Sequence, residues 1–321
     1  MPANTEGFIV SMKLGVSLPQ GTDYDLTTDV VDAARAAERI GYDSVWTTER
    51  ILKPHDQSGP HGAYGIPDLP WPPVYGIIAY PLITLTAAAA VTSRVELGTG
   101  VLVPGVHLPL RLAKSLASLD AISGGRVVAG LGSGWSIDEF DAAAPRPFAE
   151  RGAALDEFLD VAAAVWGPDP VTVDTGRYRI ARADVNPKPA RKLPVYLAGT
   201  TGKAFRRIAR RADGWLPTGI TPEQTVAGLA RIRELAAIEG RDPQELGCVV
   251  QVGLSAPLIE APAAGRAPFT GSAAQIVEDM AQLAEGGVGH AYVTIPYVTA
   301  GRGEYFDRMA EFHAEFHAAK L

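Results

Sequence analysis

Short apolar runs alternate with helix-period segments along almost the whole chain, and this alternation most limits how it can fold. The clearest instance is PVYLAGTTGKAFRRIARRADGWLP, residues 194–217. An apolar run, 195–198, ends in Gly199-Thr200-Thr201-Gly202. Apolar residues then recur at Ala204, Phe205, Ile208, Ala209 and Ala212, which is one face of a helix. Trp215-Leu216 starts a second apolar run, so the segment reads as a βαβ unit. The same reasoning predicts strands at 14–19, 44–48, 95–103, 126–131, 195–198, 215–217, 249–254 and 292–295. Helices are predicted at 29–40, 82–92, 110–122, 149–166, 222–239, 273–285 and 304–317, besides the one that starts near Gly202.

Eight strands alternating with eight helices predict an α/β fold, a closed (β/α)8 TIM barrel formed as one domain over 1–321. An open dinucleotide-binding sheet is the rival. Its best support, Gly130-Leu131-Gly132-Ser133-Gly134, lacks a third glycine at the right spacing, and no helix is predicted to start on it. Two stretches interrupt the rhythm, 51–80 and 167–193, both rich in Gly and Pro. The first follows strand two, which in a barrel places it at the C-terminal mouth, where active sites form; it reads equally as a surface excursion. Residues 1–11 are expected to form a flexible extension, with Met12 an alternative start.

The net charge of −7 argues against nucleic-acid binding, and Arg206, Arg207, Arg210 and Arg211 read as the solvated face of one helix. Cys248 is the single cysteine, so no internal disulfide forms; a buried thiol in a cytoplasmic protein is expected. No apolar stretch reaches the ~18 residues of a membrane span, and no signal peptide is evident. The strand ends bring no converging set of His and carboxylate ligands, so no metal site is expected. The Gly199–Gly202 turn has two readings. Free amides at a helix N-terminus, with the Thr200 and Thr201 hydroxyls, suit a phosphate; a tight turn capped by Thr fits as well.

Several segments, in order over nearly the whole chain, resemble the luciferase-like monooxygenases, in particular their coenzyme F420-dependent oxidoreductase branch. They are AARAAERIGYDSVW (33–46), VELGTGV (95–101), Leu112-Ala113-Lys114, Leu119-Asp120, Ser123-Gly124-Gly125-Arg126, Gly132-Ser133-Gly134-Trp135 and Ala212-Asp213-Gly214-Trp215. Glu139, Phe140, Arg151 and Trp166 fall where the family places such residues. The resemblance implies a flavin or deazaflavin across the barrel mouth, a cis Gly100–Val101 peptide behind its ring, and a phosphate on Gly199, Thr200 and Thr201. Gly132, Ser133, Gly134 and Trp135 are then expected beside the ring or its ribityl chain. It further implies a homodimer, and a separate reductase where the cofactor is exchanged; Tyr64, Trp71, Tyr75 and Tyr80 in the 51–80 stretch suggest a roomy, aromatic-lined pocket for a small, mainly apolar substrate.

The departures carry information. Many deazaflavin-dependent members have an acid followed by His after strand two; here the pair is Glu49-Arg50. Arg stays protonated and is a poor acid or base, but it can stabilise negative charge. Sugar-phosphate dehydrogenases of the family place a carboxylate where Trp135 stands, so that activity is not expected. Among His55, His61, His107, His290, His313 and His317, the last two are expected on a solvated helix and His290 at the opposite barrel face. His107 reads as a helix cap or a mouth residue. Glu49, Arg50 and His107 are the candidate catalytic residues. The expected activity is hydride transfer with F420; FMN-dependent monooxygenation is the alternative, and a non-catalytic flavin-binding barrel a further one. For F420, the anionic tail is expected to meet Arg50 or Lys53.

Overall fold

The computed structural model describes residues 11–321. Strands β1 (Lys13–Ser17), β2 (Ser44–Thr47), β3 (Glu96–Thr99) and β4 (Val127–Leu131) form one half of a barrel. A hairpin, β5 (Val171–Asp174) with β6 (Arg179–Ala183), follows outside it. Strands β7 (Val195–Leu197), β8 (Gly214–Trp215), β9 (Gly247–Val252) and β10 (His290–Val293) complete the barrel, and β10 pairs in parallel with β1. The barrel helices are α1 (Asp29–Ile40), α2 (Pro81–Ala89), α3 (Pro109–Ser123), α4 (Ile137–Ala143), α5 (Arg151–Trp166), α6 (Gly202–Arg211), α7 (Pro222–Ile238), α8 (Ala273–Glu285) and α9 (Arg302–Ala318).

Local chemistry explains the helix ends. Proline opens α2, α3 and α7, where its missing N–H costs nothing. Capping boxes at Thr221 with Gln224 and Ser272 with Gln275 start α7 and α8. The outward strand residues, such as Leu14, Val45, Leu97 and Val250, pack under the helices in the main core. The inward ones, Trp46, Val128, Leu216, Val249 and Tyr292, fill the barrel. Trp46 and Tyr292 stack face to face, with centroids 4.4 Å apart. Room for them comes from neighbouring strands: a Cβ on Gly98 would lie 2.3 Å from the Trp46 ring. Large rings opposite glycines thus plug the barrel, leaving chemistry to its rim.

At the N-terminal end, Ser44 Oγ accepts a hydrogen bond from Trp46 Nε1 at 2.7 Å and contacts His290 Nε2 at 2.7 Å. Burial pushes the His290 pKa down to about 3. His290 is therefore a neutral core residue far from the mouth, as its position before strand eight suggested.

Several sequence expectations are corrected. Predicted strand 95–103 ends at Thr99, and beyond the cis Gly100–Val101 peptide Leu102 forms an isolated parallel bridge with Leu131. The 167–193 insertion contains the β5–β6 hairpin. A helix does follow Gly134: α4, with Ser136 as its cap. His313 is half-buried, its ring tilted against Tyr42. Apart from Ser11, the expected extension 1–11 lies outside the described residues. Cys248 is buried and free, and burial raises its thiol pKa. No helix among the described residues is long and apolar enough to cross a membrane.

Candidate functional site

The loops after β2, β3 and β4 meet at the C-terminal rim. Glu49 leaves β2 buried, only 2% exposed, and its carboxylate is held twice. Val103 N–H donates to Oε2 at 2.7 Å, and His107 Nε2 lies 2.8 Å from Oε1. His107 is therefore bound to Glu49 and is not a cap. α3 starts from Leu108 with no side-chain cap, and the His107 ring turns back to the rim. Tyr80 packs edge-on against His107, and burial with the nearby Glu49 charge pushes its phenol up to about 12.

Arg50 takes a different partner. Its Nη1 donates to Glu139 Oε2 at 2.9 Å, and the Ile51 amide donates to Oε1 at 2.7 Å. The two side chains are 8% and 5% exposed. Burial pushes the Glu139 carboxyl above its usual range, and the Arg50 charge opposes that push. The guanidinium also lies 4.8 Å from the Trp135 ring centroid and 5.3 Å from that of Tyr75. Arg50 is thus enclosed by a carboxylate and two aromatic faces.

Glu139 was visible only as a family position; its partnership is new. A local signal was present: Ser136 followed three residues later by Glu139 is a cap pattern, and Ser136 Oγ accepts from the Glu139 amide at 3.1 Å. α4 in turn clasps the 51–80 loop, since His61 Nδ1 lies 3.0 Å from Asp138 Oδ1. That loop holds three short 3₁₀ turns, at Gly59–His61, Ala63–Gly65 and Pro73–Gly76. Trp71 is buried, with its ring 4.5 Å from Trp135 and its Nε1 donating to the His61 carbonyl. Tyr64 and Tyr75 share a 2.9 Å hydroxyl contact beside the same ring. The expected aromatic lining exists, and it packs on itself and on Arg50.

Glycines let the rim segments pack closely. A Cβ on Gly132 would come within 2.8 Å of Val101 Cγ2, and one on Gly100 within 2.0 Å of the Tyr292 hydroxyl. That hydroxyl is buried without a hydrogen-bond partner among the described residues. Gly134 (φ 78°) and Gly199 (φ 123°) take backbone angles that disfavour side chains. Ser133 and Trp135 sit partly buried on the same rim.

At the Gly199–Gly202 turn, Thr201 Oγ1 accepts from the Ala204 amide at 3.2 Å, so the capping role is real. It leaves the Gly202 and Lys203 amides with no acceptor among the described residues, beside the exposed Thr200. No cluster of metal-binding side chains occurs among the described residues.

A family model described as luciferase-like monooxygenase matches residues 10–259. An uncharacterised protein of Mycobacterium tuberculosis is 37% identical over 188 residues, 58% of this chain and 66% of that protein. An F420-dependent glucose-6-phosphate dehydrogenase of Nakamurella multipartita is 33% identical over 233 residues, 71% of this chain and 63% of that protein. The matches thus span just under two thirds of these relatives' length. Among solved structures, an F420-dependent secondary alcohol dehydrogenase with an F420–acetone adduct gives a TM-score of 0.74 at 17% identity, covering 95% of this chain and 99% of that one. A monooxygenase from Streptomyces bottropensis gives 0.73 at 20%, covering 96% and 98%. At such identities the two structures show a shared fold. On the extent of the family match, the chain belongs to the luciferase-like monooxygenase family.

Proposed function

We propose that this protein is an F420-dependent oxidoreductase that transfers a hydride between the deazaflavin and a small, largely apolar substrate. The observation that carries the reading is the rim itself. Gly132 packs so closely on Val101 that a Cβ there would come within 2.8 Å of Cγ2, and the turn at Gly199 supplies two amides without an acceptor among the described residues for a phosphate. The F420-dependent relative at 33% identity favours this cofactor over FMN.

When bound, the reduced deazaflavin supplies the hydride. The residues of the chain position and exclude. Gly199 keeps the backbone open to the phosphate, and the amides of Gly202 and Lys203 donate to it. Trp135, Trp71 and Tyr75 make an apolar wall that excludes water from the reacting carbon. Arg50 and Glu139 hold that wall to α4 as a neutral pair, which shapes the field without moving protons. His107 Nε2 donates to the Glu49 carboxylate, which leaves Nδ1, without a side-chain partner among the described residues, as the ring's acceptor nitrogen. Trp135, in place of a carboxylate, and the enclosed Arg50 disfavour a sugar phosphate as substrate.

Fluorescence titration with F420 and with FMN tests the reading. F420 is expected to bind more tightly, and Gly199→Val to weaken it at least tenfold, because a Cβ there meets Ala204 Cβ at 2.8 Å in a strained backbone. Tighter FMN binding, with oxygen consumption on supply of reduced flavin, identifies an FMN monooxygenase instead.

A further inference from the structure

The solvated arginine face expected on α6 is only partly that. Arg207 pairs with Asp156 at 2.7 Å, and Arg211 pairs with Asp160, so two of the cations fasten α6 to α5. A groove of about 350 Å³ remains outside them, lined by Lys203, Arg206, Arg207, Arg210, Arg211 and Asp156. Five cations face one carboxylate, in a chain whose net charge is −7. Lys203 and Arg206 have no ion-pair partner among the described residues, and Arg210 reaches Glu239 only at 3.5 Å.

Helix energetics do not account for this arrangement. The positive end of the helix dipole disfavours cations near the N-terminus, yet Lys203 stands in the first turn, which holds no acid. Residues 203, 206 and 210 follow the i, i+3, i+7 spacing of one face, where like charges repel. That cluster starts at the turn assigned to the cofactor phosphate and runs about 10 Å along the helix. Arg50, the cation first expected to meet the cofactor tail, is enclosed by Glu139 and two rings.

We propose that this groove binds the carboxylate-rich glutamyl tail of coenzyme F420 where it leaves the phosphate seat. The proposal rests on the F420 reading above. Charge complementarity selects the occupant: a chain of carboxylates continuing from a phosphate at Gly199–Lys203 meets Lys203, Arg206 and Arg210 in succession.

The test is fluorescence titration at low salt with F420 lacking glutamates and F420 carrying a long glutamate tail. The native protein is expected to prefer the long-tailed form roughly fivefold to tenfold, a preference that added salt erases. Arg206→Ala/Arg210→Ala is expected to bring the two affinities within about twofold, leaving that for the tail-less form unchanged, and Arg206→Glu to reverse the preference. Both positions are exposed, and circular dichroism checks the fold of each variant. Equal affinities in the native protein, or a preference that survives both variants, overturn the tail site while the F420 reading stands. Binding of neither F420 form, with FMN bound, overturns both.

Discussion

Replacing Arg50 by Met keeps an apolar stem and removes the charge opposite Glu139. The native pair is close, at 2.9 Å, and nearly solvent-free. Removing one partner of such a pair costs about 3–5 kcal/mol. Losing the contacts over Trp135 and Tyr75 adds about 0.5–1 kcal/mol each. The Ile51 amide still donates to Glu139 at 2.7 Å and returns part of this. A net loss of about 4 kcal/mol at neutral pH follows, or roughly 6 °C in thermal midpoint for a chain of this length. The pH dependence identifies the cause. Burial already raises the Glu139 carboxyl, and without Arg50 it rises further. A carboxyl raised in the folded state contributes stability fully below its unfolded value, about 4.3, and loses it as pH climbs through the folded value. The Arg50→Met deficit is therefore smaller on the acid side, where mainly the lost ring contacts remain, and grows as pH climbs. Arg50→Met/Glu139→Gln removes both charges and is expected to recover most of the midpoint and flatten its pH dependence. Differential scanning calorimetry over a pH series is the assay. A single-variant deficit equal at both ends of the series would show that packing, not the buried charge, holds this corner, and would refute the reasoning.

Two further outcomes follow from the barrel interior. His290 has its pKa lowered to about 3, facing Ser44, Lys13 and Glu96, so its stabilisation is complete above about 6.5 and drains as pH falls from there toward 3, by about 1.4 kcal/mol per unit. His290→Gln should flatten that limb of acid unfolding, and an unchanged limb sinks the assignment. Gly98→Ala places a methyl 2.3 Å from the Trp46 ring, which Tyr292 and Ser44 pin, at a cost of about 3 kcal/mol; pairing it with Trp46→Phe should restore part of the midpoint. A native midpoint in Gly98→Ala alone would mean that the ring moves aside freely.

The barrel was legible in the chain because strand and helix periodicity are local: each apolar run and each helical stripe can be read within about twenty residues. α1 and α8 occupy the residues their periodicity marked, Asp29–Ile40 and Ala273–Glu285. The turn at Gly199 was legible from its own glycines and Thr cap, and the cis Gly100–Val101 bond through ordered family motifs. The short α4 was missed because seven residues carry too few helical turns to show a period, although its Ser136–Glu139 cap was written in the sequence.

Partnerships were the part that only the tertiary structure decided. Glu49 and Arg50 are adjacent, yet one turns to His107, 58 residues on, and the other to Glu139, 89 residues on. The four cations of α6 look alike in sequence, but packing against α5 engages Arg207 and Arg211 and leaves Arg206 unpaired among the described residues. Local patterns specify which segments become strands and helices. Which side chain meets which depends on closing eight strands into a ring, which brings the loops after β2, β3 and β4 together at one rim.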